Sequence, residues 1–212
     1  MNKTWLAACA CVLMLAGCVH TTRAHFVRHY TLSASAPSPM SDHASRVDRG
    51  VLQIARIDVP DWLDGTAMHY RLSYEDDGRS ATYANSDWIA PPATLLESLV
   101  QKTILDGGDW RAVIGPRSPA SADVTLQIRL DDFSQAFSRP QSSTGVLDAT
   151  ATLIFVRDEH VIAQRHFHIE TAAPTSDAQG GAKALSDASA KFSGELRRWI
   201  DSVDDTSAAE VH

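Results

Sequence analysis

The residue of this sequence with the clearest chemistry is a cysteine near the N-terminus, Cys18, which ends the run Leu-Ala-Gly-Cys at residues 15–18. Lys3 and the apolar residues 5–15 come before it, as in a secretory signal whose apolar segment is too short to span a bilayer. Small residues before a cysteine are typical of a lipobox, in which the thiol accepts a diacylglycerol before the signal is cut off. The sequence therefore predicts cleavage after residue 17 and lipidation of Cys18.

Lipidation would decide where the protein is held. Two or three acyl chains, at about 0.8 kcal/mol per buried methylene, anchor a protein without a transmembrane helix. Val19 follows the cysteine, where an aspartate would favour the inner membrane, so we expect the periplasmic side of the outer membrane. Cys9 and Cys11 leave with the signal, and the mature chain then offers no free thiol for disulfides or thiolate metal sites.

The charge of the chain limits its partners. The formal net charge is −7, and removal of Lys3 with the signal brings the mature chain to −8. A net negative charge of this size argues against binding to nucleic acid and against binding of anionic lipid headgroups by a polybasic segment. The mature length suits one domain with a sizeable core.

Nine histidines raise the question of a metal site. His166 and His168 flank Phe167 in a predicted strand and should point to one face, and His160 lies near the tip of the same hairpin. Zinc requires three or four converging ligands, and the sequence identifies no others. An exposed polar strand face is therefore the favoured interpretation, and we predict no metal and no cofactor.

Paired carboxylates do not predict catalysis either. Residues 76–77 and 131–132 are adjacent aspartates, and neighbours on a strand point to opposite faces, so spacing alone forms no acid–base dyad. The sequence contains no P-loop, dinucleotide fingerprint, nucleophile elbow or His-Glu-x-x-His motif. We predict no catalytic residues and no enzyme activity.

Two aromatic residues remain as candidates for partner binding. Phe133 and Phe137, with Gln135 between them, lie at the end of a predicted strand over residues 123–137, just before a predicted connector over residues 138–145. Such a position suits either a core or a partner-facing lip, since aromatic side chains are common in both. These three residues are the best sequence candidates for a docking surface.

The surrounding pattern indicates about seven strands and two helices. Alternation is clearest over residues 123–137 and 68–74, the second followed by an Asp-Gly turn at Gly78. One helix is predicted to begin at Pro92 and the other, amphipathic, follows a cap at Asp177 or Ser176. We expect a single α+β (α/β) domain in which a mixed or antiparallel sheet packs against two main helices.

The predicted organisation has four parts. Residues 1–17 form the lipoprotein signal peptide, and residues 18–50 form the lipidated N-terminus and a tether that contains a short strand at 30–32. Residues 51–203 form the folded domain. Residues 204–212 form an acidic tail.

The order of motifs resembles the ABC-type transport auxiliary lipoprotein family, the group that includes paraquat-inducible protein C. The matching features span residues 30–199 and are carried by order and spacing rather than by one motif. They are the lipobox at Cys18, Tyr30-Thr31-Leu32, residues 54–60, Trp62-Leu63-Asp64, Met68-His69-Tyr70-Arg71, Tyr83-Ala84-Asn85, Trp88, Leu95-Leu96, Ala122-Asp123, Leu126, Leu130, Asp132-Phe133-Ser134-Gln135, residues 149–153, Ala163-Gln164 and Phe167. The resemblance implies that residues 51–203 are an auxiliary lipoprotein domain.

The resemblance also implies a function. Such a lipoprotein would be a non-catalytic docking subunit of a lipid transport system between the inner and outer membranes. Its partners would be a mammalian-cell-entry (MCE) domain protein and inner-membrane transporter components, with the outer membrane held through the acyl anchor and a homo-oligomer left open. The alternative is a lipid carrier or chaperone with an apolar pocket, which the sequence does not separate from a filled core because both use the same residues.

Overall fold

A computed structural model describes residues 26–32, 49–75 and 80–209 of the chain. Cys18, the signal peptide, Gly78 and most of the predicted tether lie outside these residues. The strands are β1 (Arg28–Tyr30), β2 (Val51–Ile54), β3 (Ala67–Leu72), β4 (Ser80–Trp88), β5 (Ala112–Ile114), β6 (Val124–Arg139), β7 (Ser142–Phe155) and β8 (His160–Ala172). The helices are α1 (Pro92–Leu105), α2 (Ala178–Ala209) and a short 3-10 helix at Asp61–Leu63.

All eight strands join one mixed sheet that divides at β6. One edge of β6 pairs along its length with β7, which pairs with β8, and both ladders are antiparallel. The first part of the other edge pairs in parallel with β2 and through it with β5. The last part pairs in parallel with β3, which continues to β4 and β1. The 16-residue β6 is therefore shared by two separate branches.

Both helices lie on one face of the sheet, which we call the helix side. Phe192 of α2 packs edge-on against Phe167 of β8 with ring centroids 5.3 Å apart, and Trp199 contacts the same ring at 6.0 Å. Leu126, Leu130 and other alternating residues of β6 and β7 are fully buried beneath the helices. The predicted α+β domain with a mixed sheet and two helices is confirmed.

Two glycines let α2 lie directly on the sheet. A Cβ added to Gly145 of β7 would come 2.7 Å from the backbone nitrogen of Leu185, and one added to Gly181 would come close to the Gln135 amide. At Gly145 the contact is with backbone and leaves no room for a methyl group, and at Gly181 a methyl group would displace the hydrogen-bonded Gln135 side chain, so both glycines favour the close approach of the helix.

The predicted connector over residues 138–145 is wrong. β6 continues to Arg139 and β7 begins at Ser142, so only two residues separate the strands. Serine, proline and glycine suggested a loop, but Gly145 is required by the helix above it and the serines pair in the ladder as Phe137 with Ser143 and Arg139 with Ser142. Tertiary contact overrides the local propensity here.

Among the described residues, no helix combines the length and apolar character needed to cross a membrane.

Candidate functional site

The residues predicted for partner binding lie inside the domain. Phe133 is 1% exposed, Gln135 0% and Phe137 7%. Phe133 packs against Trp88 with ring centroids 5.4 Å apart, and Phe137 packs edge-on against Tyr70 at 6.0 Å. The core interpretation therefore replaces the partner-facing lip, because the end of β6 is covered by the start of α2 rather than open to solvent.

Gln135 is the polar centre of this covered region. Its Oε1 accepts a hydrogen bond from the Tyr83 hydroxyl at 2.8 Å, and its Nε2 donates to Ser143 Oγ at 2.8 Å. Burial raises the pKa of Tyr83 to about 12, so the hydroxyl remains a donor at neutral pH. Because both ends of the buried amide are satisfied, Gln135 stabilises the fold rather than a partner contact.

The start of α2 above Gln135 is capped as the sequence predicts. Asp177 Oδ1 accepts a hydrogen bond from the Gly180 backbone N–H at 2.8 Å and another from the Thr175 hydroxyl at 2.7 Å. These two hydrogen bonds hold the pKa of Asp177 below its usual value, and the one from Thr175 has the larger effect. An ionised carboxylate at this end also favours the helix dipole.

The other face of the sheet, opposite the helices, carries most of the charged and titratable side chains of the three long strands. We call it the open face and define it by alternating residues of β6, β7 and β8. These are Gln127, Arg129, Asp132, Asp148, Thr150, Thr152, Gln164, His166, His168 and Glu170. Alternation places them opposite the buried residues of the same strands.

Asp148 is at the centre of the open face. Its Oδ1 lies 2.6 Å from His166 Nε2 and its Oδ2 lies 2.8 Å from His168 Nδ1. The second ring nitrogen of His168 lies 3.3 Å from Glu170. Both imidazole side chains are more than half exposed, while the Asp148 side chain is 25% exposed. One carboxylate thus orients two histidines of the neighbouring strand.

This arrangement shifts the ionisation of both partners. Partial burial opposes the charged form of Asp148, but hydrogen bonds from His168 and His166 outweigh it and hold the pKa of Asp148 below its usual value. Hydrogen bonds to Asp148 and Glu170 raise the pKa of His168, and the one to Asp148 has the larger effect. The pair therefore favours a charged carboxylate beside a protonated imidazole.

Asp132 forms a second, more buried pair on the same face. Its Oδ2 lies 2.7 Å from Arg71 Nη1, and the Asp132 side chain is 13% exposed. Burial raises the pKa of Asp132, against the opposing effects of Ser134 and Arg71. A register irregularity lies between Leu130 and Asp132, and Asp131 pairs instead with Arg129 at 2.7 Å. Each of the two adjacent aspartates therefore has its own cation.

A shallow groove of about 480 Å³ extends the open face toward the start of β6. It is lined by Asp58, Gln127, Ile128, Arg129, Asp131, Thr150, Thr152 and Gln164. Amide, hydroxyl, carboxylate and guanidinium groups alternate here, so the groove offers both donors and acceptors to a polar partner.

The described residues contain no group of three or more histidine, cysteine, aspartate or glutamate side chains placed to hold a metal ion. His166 and His168 do share a face, as the alternation predicts, but the carboxylate of Asp148 engages both rings.

The sequence analysis missed Asp148. Part of the signal was present, because Asp148 and His168 lie on the two strands of the predicted hairpin around residues 158–160. They are direct partners in the observed register. Counting outward from the turn fails to find this pair, because the pairing of Phe155 with His160 would place Asp148 opposite Phe167. The irregularity between Leu153 and Ile154 shifts the register by one residue and places Asp148 opposite His168.

Comparison with known proteins identifies the family. The model of a family described as the ABC-type transport auxiliary lipoprotein component matches residues 30–196. That match covers most of the chain, and the protein belongs to this family. No curated protein matches the sequence.

Solved structures share the fold. A crystal structure of a Xanthomonas campestris protein of the DUF330 family aligns with a TM-score of 0.72 and 20% identity, covering 86% of this chain and 99% of that chain. A crystal structure of an uncharacterized protein aligns with a TM-score of 0.63 and 18% identity, covering 82% of this chain and 99% of that one. At such identities the likeness concerns the fold alone.

Proposed function

We propose that this protein is a lipoprotein anchored through Cys18 to the periplasmic face of the outer membrane. There it acts as a non-catalytic docking subunit of an MCE-type or ABC-type lipid transport system. The observation that carries the proposal is the family match over residues 30–196, which follows a lipobox in the sequence. An acyl anchor and a folded domain of an auxiliary component are what a docking subunit requires.

Packing of the helix side supports docking over a lipid carrier. The apolar residues between the sheet and the helices are less than 10% exposed, and the rings of Phe167, Phe192 and Trp199 are in contact. The groove on the open face and a second depression beside α2, lined by Arg165, Glu195, Arg198, Trp199 and Ser202, are mainly polar. Acyl chains are held by apolar pockets, so these surfaces suit a protein partner better.

The open face is the surface that we assign to docking. Its histidines and both of its glutamines are exposed, whereas Phe167 and Ile169, the helix-side neighbours of His166 and His168, are buried. Fixed pairs such as Arg71 with Asp132 and His168 with Asp148 present charges in set positions, and charge arrangement contributes to specificity and register at interfaces. The partner would be an MCE-domain protein or another transporter component.

Site-specific photo-crosslinking in membranes tests the docking role. A photoreactive residue at Gln164, on the open face, should crosslink to a transporter component. The photoreactive residue placed at Lys191, which is exposed on α2, is the matched control and should not crosslink to that component. Equal crosslinking at both positions, or none at Gln164, would contradict the assigned surface.

Two further measurements separate the alternatives. Cys18→Ala should abolish palmitate labelling and leave unprocessed or mislocalised protein, and labelling that persists would refute the lipobox. Native mass spectrometry of the purified protein should show no bound lipid beyond the acyl anchor, because a co-purified lipid would favour the carrier.

A further inference from the structure

One edge of the sheet exposes apolar side chains where the chain enters the domain. We call it the β1 edge and define it as Phe26, Val27, Arg28, His29 and Ile89. Phe26 is 85% exposed, Val27 40% and Ile89 65%. Ile89 belongs to this edge because its backbone N–H donates to the Tyr30 carbonyl at 2.8 Å, which extends the pairing of β1 with β4.

The charge of this edge differs from that of the chain. The chain carries a net charge of −7, yet the five residues of the β1 edge include an arginine and a histidine and no carboxylate, and Asp87 lies opposite His29 on β4. Arg28 lies within electrostatic reach of Asp177, at the start of α2. Protein surfaces that contact the headgroup region of phospholipids typically combine aromatic and aliphatic side chains with basic ones. The rings lie among the glycerol groups and the cations contact phosphate.

Chain length places this edge near the anchor. Cys18 precedes Phe26 by eight residues, which span at most about 28 Å when fully extended. Along the branch through β7 the sheet ends at β8, five strand spacings from β1 in the order β1-β4-β3-β6-β7-β8 and therefore roughly 24 Å further away. Of these two ends, β1 is the one that the anchor would hold near the membrane.

We propose that the β1 edge lies against the phospholipid surface that holds the acyl chains, with Phe26 and Ile89 in the headgroup region. This inference rests on the lipid anchor of the proposed function and adds an orientation to it. The sheet then stands edge-on to the membrane, β8 points into the periplasm, and the open face is accessible from the side. The occupant of the apolar edge is lipid rather than a second protein.

Single-cysteine labelling of the acylated full-length protein tests this orientation. The acylated Cys18 sulfur is already bonded and the mature chain has no other thiol, so Phe26→Cys, Ile89→Cys and Val161→Cys each give one site for the environment-sensitive fluorophore NBD. Val161 is the matched control, an aliphatic residue that is 58% exposed on β8. The labelled proteins are compared in detergent-free vesicles of phosphatidylethanolamine and phosphatidylglycerol and in protein freed from the anchor by proteolysis before residue 26.

On vesicles the emission of labels at residues 26 and 89 should shift to the blue and be quenched by lipids brominated near the headgroup. The label at residue 161 should keep its aqueous spectrum. Aqueous spectra at residues 26 and 89 on vesicle-bound acylated protein, or a shift at residue 161 instead, would overturn the orientation and leave the anchor intact. A purified full-length protein without acyl chains would overturn the anchor, and the orientation with it.

Discussion

The helix side and the open face are made from the same three strands, and they differ in almost every physical property. On β7, Ala149 is fully buried beneath α2, while its neighbour Asp148 on the open face holds two exposed histidines. On β8, Phe167 packs against Phe192 of α2, while its sequence neighbours His166 and His168 lie on the open face. Alternation thus places most of the buried apolar side chains on one face and most of the exposed polar ones on the other, and substitutions should have different consequences on the two faces.

The largest effect should come from placing a charge on the helix side. Phe137→Asp removes a buried aromatic ring and buries a carboxylate, so it should cost about 3 kcal/mol or more of unfolding free energy. Chemical denaturation of the purified protein measures the loss. Val161→Asp, at an exposed position, should stay within about 0.5 kcal/mol of wild type. If both variants lost little and equal unfolding free energy, Phe137 would be a candidate for a partner-facing residue again.

A smaller loss should follow from separating α2 from the sheet. Gly145→Ala places a methyl group 2.7 Å from the Leu185 backbone nitrogen, and the required shift should cost about 1–3 kcal/mol. The midpoint of thermal unfolding should fall accordingly. An unchanged midpoint would mean that α2 does not approach β7 as closely as described.

The same substitution elsewhere in α2 should have the opposite sign. Gly194 lies within the helix and an added Cβ meets nothing within 4 Å. Gly194→Ala should therefore stabilise the protein by about 0.4–1 kcal/mol, because alanine restricts the unfolded chain and favours the helix. Measured beside Gly145→Ala, this variant shows whether close approach or helix propensity decides the outcome.

The smallest effect should come from the open face and should depend on pH. The folded state raises the pKa of His168, so its bond to Asp148 contributes fully below pH 6.5 and is lost as the pH rises through the raised pKa. The Asp148 contribution is present above pH 3.8 and is lost as the pH falls through its lowered pKa.

His168→Gln should therefore destabilise the protein between those pH values, by no more than about 1 kcal/mol for an exposed pair, and less at higher pH. Gln164→Ala, on the same face and strand, lacks a titrating group and should show no such pH dependence. Denaturation across the pH range measures both, and a pH-independent loss for His168→Gln would contradict the assigned pairing.

Most of the strands and helices could be predicted because the local periodicity of apolar residues indicates them. Residues 124–130 alternate as a strand does, Asp177 precedes an amphipathic run, and both features appear in the structure. The division of the sheet at β6 could not be predicted, since it depends on which distant strands pair with each half of one long strand. Pairing of that kind is set by tertiary packing rather than by propensity.

The candidate site was only partly predictable for a similar reason. The shared face of His166 and His168 follows from alternation, but their carboxylate partner lies on another strand. Phe137 packs against Tyr70 of β3, 67 residues earlier in the chain, a contact that local periodicity does not specify. A sequence pattern shows that a side chain is apolar without showing what covers it.

The division of the sheet at β6 also has a consequence for how the chain folds. Leu52 of β2 pairs with Val124, and Leu72 of β3 pairs with Phe137, so both branches close only when a strand more than 60 residues later has been made available. Closing long loops slows folding, and strands without partners invite association with other chains in the meantime. The early strands must therefore wait for β6, and refolding from denaturant should accordingly be slow and concentration-sensitive.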